Sequence, residues 1–140
     1  MSQRPIHGQS LRLRITSDPA NLAPVRQQLE DLAAACGFGE ASRGQIVLCT
    51  NEALTNVTRH AYGGAVDQPI EIHAGFDAGV LRITIRDWGS GRMPPECPPP
   101  RNPLQPGGVG MVCLRELMDS ARFEPQPDGM LLVLEKRLSA

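Results

Sequence analysis

The chain has 140 residues, 41% of them apolar and 21% charged, with fourteen Lys and Arg against fifteen Asp and Glu. That length fits one domain, and the near-neutral charge argues against a general nucleic-acid binder, which needs a basic face. No apolar run approaches the ~18 residues of a membrane span, and the opening MSQRPIHGQS lacks the apolar stretch of a signal peptide.

In chain order, residues 10–16 (SLRLRIT) alternate apolar and polar, which predicts a strand with Leu11, Leu13 and Ile15 inward. Asp18 is placed to cap a helix over about 19–36, with Pro19 in its first turn and Gly37 as its stop. A second helix is predicted over about 40–62, ending at Gly63–Gly64. Two strands, 69–76 and 79–88, flank Asp77-Ala78-Gly79, a hairpin signal. Residues 92–107 hold seven prolines and read as a loop. A third helix opens near Gly110 and reaches about 119, and two strands, 121–126 and 130–138, close the chain around Pro127-Asp128-Gly129. The order β-α-α-β-β-loop-α-β-β predicts an α+β two-layer sandwich, with helices covering one face of a mixed, mainly antiparallel sheet.

The cysteines and cations narrow the chemistry. Cys36, Cys49, Cys97 and Cys113 form no C-x-x-C pair, a spacing that fits neither a disulfide framework nor a zinc site and reads as reduced thiols in a cytoplasm. Thirteen of the fourteen cations are Arg and the single Lys is Lys136, so a Lys-based phosphate loop is excluded.

Three segments carry chemistry. On the second helix Ile46, Ala53, Leu54, Val57 and Ala61 share a broad apolar face, and Glu52, Asn56 and His60 recur every four residues along its border. A carboxylate and an amide one turn apart, roughly 6 Å along the axis, suit a hard cation beside a hydroxyl or water: Asn56 as Mg²⁺ ligand, Glu52 as proton acceptor. Spacing alone leaves a solvated helix edge open. In the 79–88 strand Asp87 is in phase with Leu81, Ile83 and Ile85, where an acid needs a partner. Asp-Trp-Gly-Ser-Gly follows, and Gly89 and Gly91 would admit a ligand close to the backbone. Asp87 either accepts from an exocyclic amine such as that of adenine or caps the turn after it. Lastly, Gly107, Gly108, Val109 and Gly110 open the third helix, an arrangement that frees N–H groups for an anion or makes a plain loop. Arg92 and Arg101 are the cations of the Pro-rich loop. Arg92 reads as solvated and Arg101 as the phosphate candidate.

Taken together, these segments resemble a known family. Residues 51–62 (NEALTNVTRHAY) resemble the N box of the GHKL ATPases, Asp87-Trp88-Gly89-Ser90-Gly91 their first glycine box, and Gly108-Val109-Gly110-Met111 with Leu117-Met118-Asp119 their second. The form E-A-x-x-N-x-x-x-H-A-Y is similar to the anti-sigma-factor serine kinase branch, and the resemblance runs from about residue 10 to 138. It implies the Bergerat ATP-binding fold in one domain, with about 92–107 as the ATP lid. By position, Glu52 would be the general base, Asn56 the Mg²⁺ ligand and Asp87 the adenine-binding acid. Gly89 and Gly91 would shape the nucleotide pocket. Gly108, Val109, Gly110, Met111 and Arg101 would lie along the phosphates. His60 would orient Glu52 or pack under the lid, and Tyr62 would close the helix against the sheet.

The branch implies an ATP- and Mg²⁺-dependent kinase that phosphorylates a serine of a STAS-type anti-sigma-factor antagonist and sequesters a sigma factor, with a homodimer plausible. The competing function is a nucleotide-gated binding module without catalysis. A histidine kinase half would need a dimerisation helix pair, and His7 lies outside any helical pattern.

Overall fold

Side-chain alternation sets the first element. In the computed structural model, which describes residues 9–90 and 114–139, β1 (Ser10–Thr16) turns Leu11, Leu13 and Ile15 towards the core and its polar residues outward. Asp18 accepts from the Ala20 N–H at 2.9 Å and opens a single 3₁₀ turn (Pro19–Asn21), which leads into α1 (Leu22–Ala35). Val25, Leu29, Leu32 and Ala33 are the buried stripe of α1, at the spacing of one helix face. Its end is closed by Phe38 N–H on the Ala33 carbonyl and Gly37 N–H on the Ala34 carbonyl, both 3.0 Å, the paired bonds of a Schellman stop.

The next helix, α2 (Glu40–Asn56), buries Ile46, Cys49, Thr50, Ala53, Leu54 and Asn56. It then widens into a π turn (Val57–Ala61), in which Tyr62 N–H reaches back five residues to the Val57 carbonyl at 3.0 Å. Regular α geometry to residue 62 was the expectation. The difference has a tertiary partner: Thr58 Oγ1 donates to the Ser17 carbonyl at 2.9 Å, drawing this turn towards the exit of β1.

After Gly63–Gly64 the chain enters the hairpin β2 (Pro69–Asp77) and β3 (Val80–Asp87), turned at Ala78 and Gly79, both at positive φ. The described part of the third helix, α3 (Leu114–Leu117), precedes β4 (Ser120–Gln126) and β5 (Gly129–Arg137). The strands form one sheet in the order β1-β2-β3-β5-β4, and every described pair is antiparallel. The expected α+β sandwich is borne out. Ile72, Leu81, Ile83, Ile85 and Leu134 face the helices and are wholly buried. The opposite face carries ion pairs, among them Arg14–Glu71 and Arg82–Glu135, each 2.6 Å. No helix among the described residues is long and apolar enough to cross a membrane.

This layout brings the end of α2 against the end of β3, where the two candidate segments of the described chain meet.

Candidate functional site

Asp87 ends β3 on the core side and is 2% exposed. The strand period demands that placement, since Asp87 follows Ile83 and Ile85 in phase. One carboxylate oxygen, Oδ1, accepts from the Gly89 N–H at 2.9 Å. The turn-capping role and the buried-acid role are therefore both occupied by this side chain. Burial raises its pKa above the ordinary carboxylate value, and the Gly89 N–H, the Arg86 guanidinium and the Met130 N–H oppose that rise. Arg86 in turn donates to the Asp87 carbonyl and to Asp128, and its guanidinium lies 4.6 Å from the Trp88 ring centre.

Gly89 has a role in the protein itself. A Cβ on Gly89 would stand 2.6 Å from the Ala61 carbonyl carbon and 2.8 Å from Ala61 Cβ, so the two backbones meet there. Expectation gave the close approach to a ligand; the structure gives it to the end of the π turn. Gly129 is the second such position: its Cβ would lie 2.7 Å from Trp88 Cα. The sequence marks Gly129 as a turn residue and gives no sign of this neighbour, which arrives across the β3–β5 pairing.

Tyr62 joins the same junction. Its hydroxyl donates to the Pro69 carbonyl at 2.6 Å and accepts from the Trp88 N–H at 2.8 Å, which closes the helix end onto the sheet as expected. A depression of about 390 Å³ opens here, lined by His60, Ala61, Tyr62, Trp88, Gly89 and Ser90. A larger recess of about 780 Å³ lies on the open sheet face around His73, Arg82 and Glu135. The smaller one is lined by His60 and by Trp88 and Gly89, the two residues that follow the buried acid in sequence, and chemistry rather than volume decides between them.

On α2, Asn56 is 6% exposed, and its Oδ1 is buried with no hydrogen-bond partner among the described residues. An unpartnered buried carbonyl is costly, and a hard cation would satisfy it. Among the described residues no cluster of three His, Cys, Asp or Glu side chains is placed to hold a metal ion. A single amide oxygen such as Asn56 Oδ1 is a donor of the kind Mg²⁺ accepts, an ion that takes few protein ligands and draws the rest from phosphates and water. Glu52, one turn earlier, is partly buried; burial raises its pKa and Arg59 pulls it down. Neither Arg59 nor Arg86 stood out in the sequence. His60 Nε2 is also buried with no hydrogen-bond partner among the described residues. His60 sits on the wider π turn, so the four-residue stripe is regular only for Glu52 and Asn56.

The structure thus gathers His60, Tyr62, Asp87 and Gly89 at one junction, with Asn56 and Glu52 further back along the same helix. Gly91, Arg101, Gly108, Val109, Gly110 and Met111 lie outside the described residues, as do Cys97 and Cys113. Of the other two thiols, both buried, Cys49 has its pKa pushed up to about 11, chiefly by burial.

The sequence model of the histidine kinase-like ATPase domain matches residues 15–136. The chain belongs to that family. Among its relatives, the anti-sigma F factor of Halalkalibacterium halodurans is 33% identical over 103 residues, covering 68% of this chain and 69% of that protein. The serine-protein kinase RsbW of Oceanobacillus iheyensis is 25% identical over 140 residues, covering 92% and 87%. Among solved structures, the RsbU and RsbW domains of Rv1364c from Mycobacterium tuberculosis match with a TM-score of 0.71 at 22% identity over 94% of this chain. This chain spans 33% of that longer one, and the likeness concerns the fold. The matched span of the histidine kinase-like domain takes in α2, the π turn and β3, the elements that build the junction.

Proposed function

We propose that this chain is an ATP- and Mg²⁺-dependent serine kinase that phosphorylates a STAS-type anti-sigma-factor antagonist and, as the other half of a partner switch, holds a sigma factor. The observation that carries the reading is the junction itself. A buried acid ends β3, and α2 presents an orphaned Asn56 oxygen with Glu52 one turn away, in a chain of the histidine kinase-like ATPase family. Relatives named anti-sigma F factor and serine-protein kinase RsbW support the partner-switching part.

In this reading the carboxylate of Asp87, whose Oδ1 accepts from the Gly89 N–H, also accepts from the adenine amino group. Such an acid favours adenine over guanine, which presents a carbonyl at that place. Asn56 would hold Mg²⁺ through Oδ1, and a bound Mg²⁺ supplies charge neutralisation on the transferring phosphoryl group. Glu52 takes the proton of the attacking serine hydroxyl, and burial, which raises its pKa, makes it a stronger base than an exposed carboxylate. Gly108, Val109, Gly110 and Arg101 are assigned to the phosphates, and His60 to the orientation of Glu52. The retained carboxylate favours the kinase over a purely sequestering module, because a binder has no need of a base.

The test is transfer from γ-labelled ATP with Mg²⁺ to STAS-domain antagonists of the same genome, with Glu52→Ala as control. Label on a serine of one antagonist, lost with Glu52→Ala, is the expected result. No label on any antagonist by a protein that binds ATP in the same tube would leave the nucleotide-gated binding module in its place.

A further inference from the structure

Tyr62 is the only tyrosine of the chain, and its hydroxyl occupies an unusual place. β2 and β3 pair in a register that sets Ile70 opposite Asp87. Continued by one residue, that register would set Pro69 opposite Trp88. Pro69 has no N–H, so the one bond available to that pair is Trp88 N–H to the Pro69 carbonyl. The Tyr62 hydroxyl stands in that bond: it accepts from Trp88 N–H at 2.8 Å and donates to the Pro69 carbonyl at 2.6 Å. The rung is replaced by a relay, and the strands are held apart by one oxygen where β3 leaves the sheet.

Two further facts surround this wedge. Ala61, the neighbour of Tyr62, packs its carbonyl against Gly89, and Gly89 N–H folds back on Asp87 Oδ1 at 2.9 Å. Ala61 at the end of the π turn and Tyr62 after it therefore hold Gly89 and Trp88, the two residues that follow Asp87, and Gly89 N–H in turn holds Asp87 Oδ1.

We propose that Tyr62 is a positioning residue for nucleotide selection: its hydroxyl, wedged between Pro69 and Trp88, sets the exit of β3 and with it the direction in which the Asp87 carboxylate is presented to adenine. This rests on the assignment of Asp87 as the adenine-reading acid. Without the hydroxyl, as in Tyr62→Phe, Trp88 N–H can close directly on the Pro69 carbonyl. The variant then keeps a satisfied backbone and a fold, yet β3 runs on by one residue and Asp87 is turned.

The experiment is calorimetric titration of Mg²⁺-ATP and Mg²⁺-GTP into the full chain, as wild type, Tyr62→Phe and Asp87→Asn. The expected result is that Tyr62→Phe loses ATP affinity by roughly fivefold or more with GTP little changed, so the ATP/GTP ratio shrinks. A purely structural role would lower the melting temperature and leave that ratio intact, which overturns the proposal. A ratio unchanged in Asp87→Asn overturns the adenine assignment and this inference with it. A reduced ratio in Asp87→Asn beside an intact one in Tyr62→Phe overturns the wedge alone. Should Tyr62→Phe fail to fold, 3-fluorotyrosine incorporation labels this one site in the native sequence. Its ¹⁹F resonance moves with ATP and much less with GTP at equal occupancy; a resonance blind to both nucleotides contradicts the proposal.

Discussion

Ala61 and Gly89 meet backbone to backbone, so closely that a Cβ on Gly89 would stand 2.6 Å from the Ala61 carbonyl carbon. A carbonyl in a π turn cannot yield as a side-chain tip would. Gly89→Ala is therefore expected to destabilise the fold by about 1–3 kcal/mol and to displace the Asp87 carboxylate that Gly89 N–H holds. Urea unfolding and ATP titration of the variant check both effects. Wild-type stability in Gly89→Ala would mean that the two backbones part easily.

Asp87 gives a prediction of opposite sign. Burial raises its folded-state pKa above the unfolded one, so the folded state binds its proton more tightly. The corresponding stability is present below the unfolded value and is lost as pH rises through the folded value. Above the folded value the ionised Asp87 is thus a cost to the protein. Asp87→Asn, whose amide oxygen can still accept from Gly89, is expected to melt above wild type at neutral pH, with the gap closing on acidification, while ATP affinity falls. A variant that melts lower at every pH would contradict the assigned cause.

Glu52 governs the pH dependence of transfer. A base must be ionised, so the rate should rise with pH through a midpoint above the ordinary Glu value, because burial raises it. Arg59 opposes that shift, and Arg59→Gln is expected to move the midpoint to higher pH. Glu52→Ala should retain ATP and lose transfer by roughly 10²–10⁴-fold. A midpoint indifferent to Arg59→Gln would remove Arg59 from the account.

Lys136 ties three elements together. Its ammonium, on β5, donates to Gln45 Oε1 of α2 at 2.8 Å and to the Leu117 carbonyl at the end of α3. Lys136→Met keeps the stem and removes both bonds, at an expected cost of about 1–3 kcal/mol in unfolding free energy. Hydrogen exchange should show the loss first at α3. Unchanged exchange there would mean that packing alone holds the helix.

Local rules explain what the sequence revealed. SLRLRIT alternates because only one face of β1 touches the core, and the Asp77-Ala78-Gly79 turn was readable because its neighbours alternate too. Asp87 was legible by phase, and Glu52 with Asn56 by helical spacing. The π turn was hidden, because its partner is the Ser17 carbonyl, 41 residues away in sequence. For the same reason the demand on Gly129 and the Tyr62 relay were invisible: each depends on a neighbour supplied by strand pairing. Arg86 did not stand out in the sequence, because its partner Asp128 is brought beside it by the β4–β5 turn.

If the buried end of α2 is a Mg²⁺-nucleotide site, ATP affinity with and without Mg²⁺ should distinguish wild type from Asn56→Ala. Mg²⁺ is expected to strengthen ATP binding to wild type, and Asn56→Ala, still folded, to lose that strengthening. Equal Mg²⁺ dependence in the two proteins would contradict it, and would leave the orphaned Asn56 oxygen without the partner assigned to it.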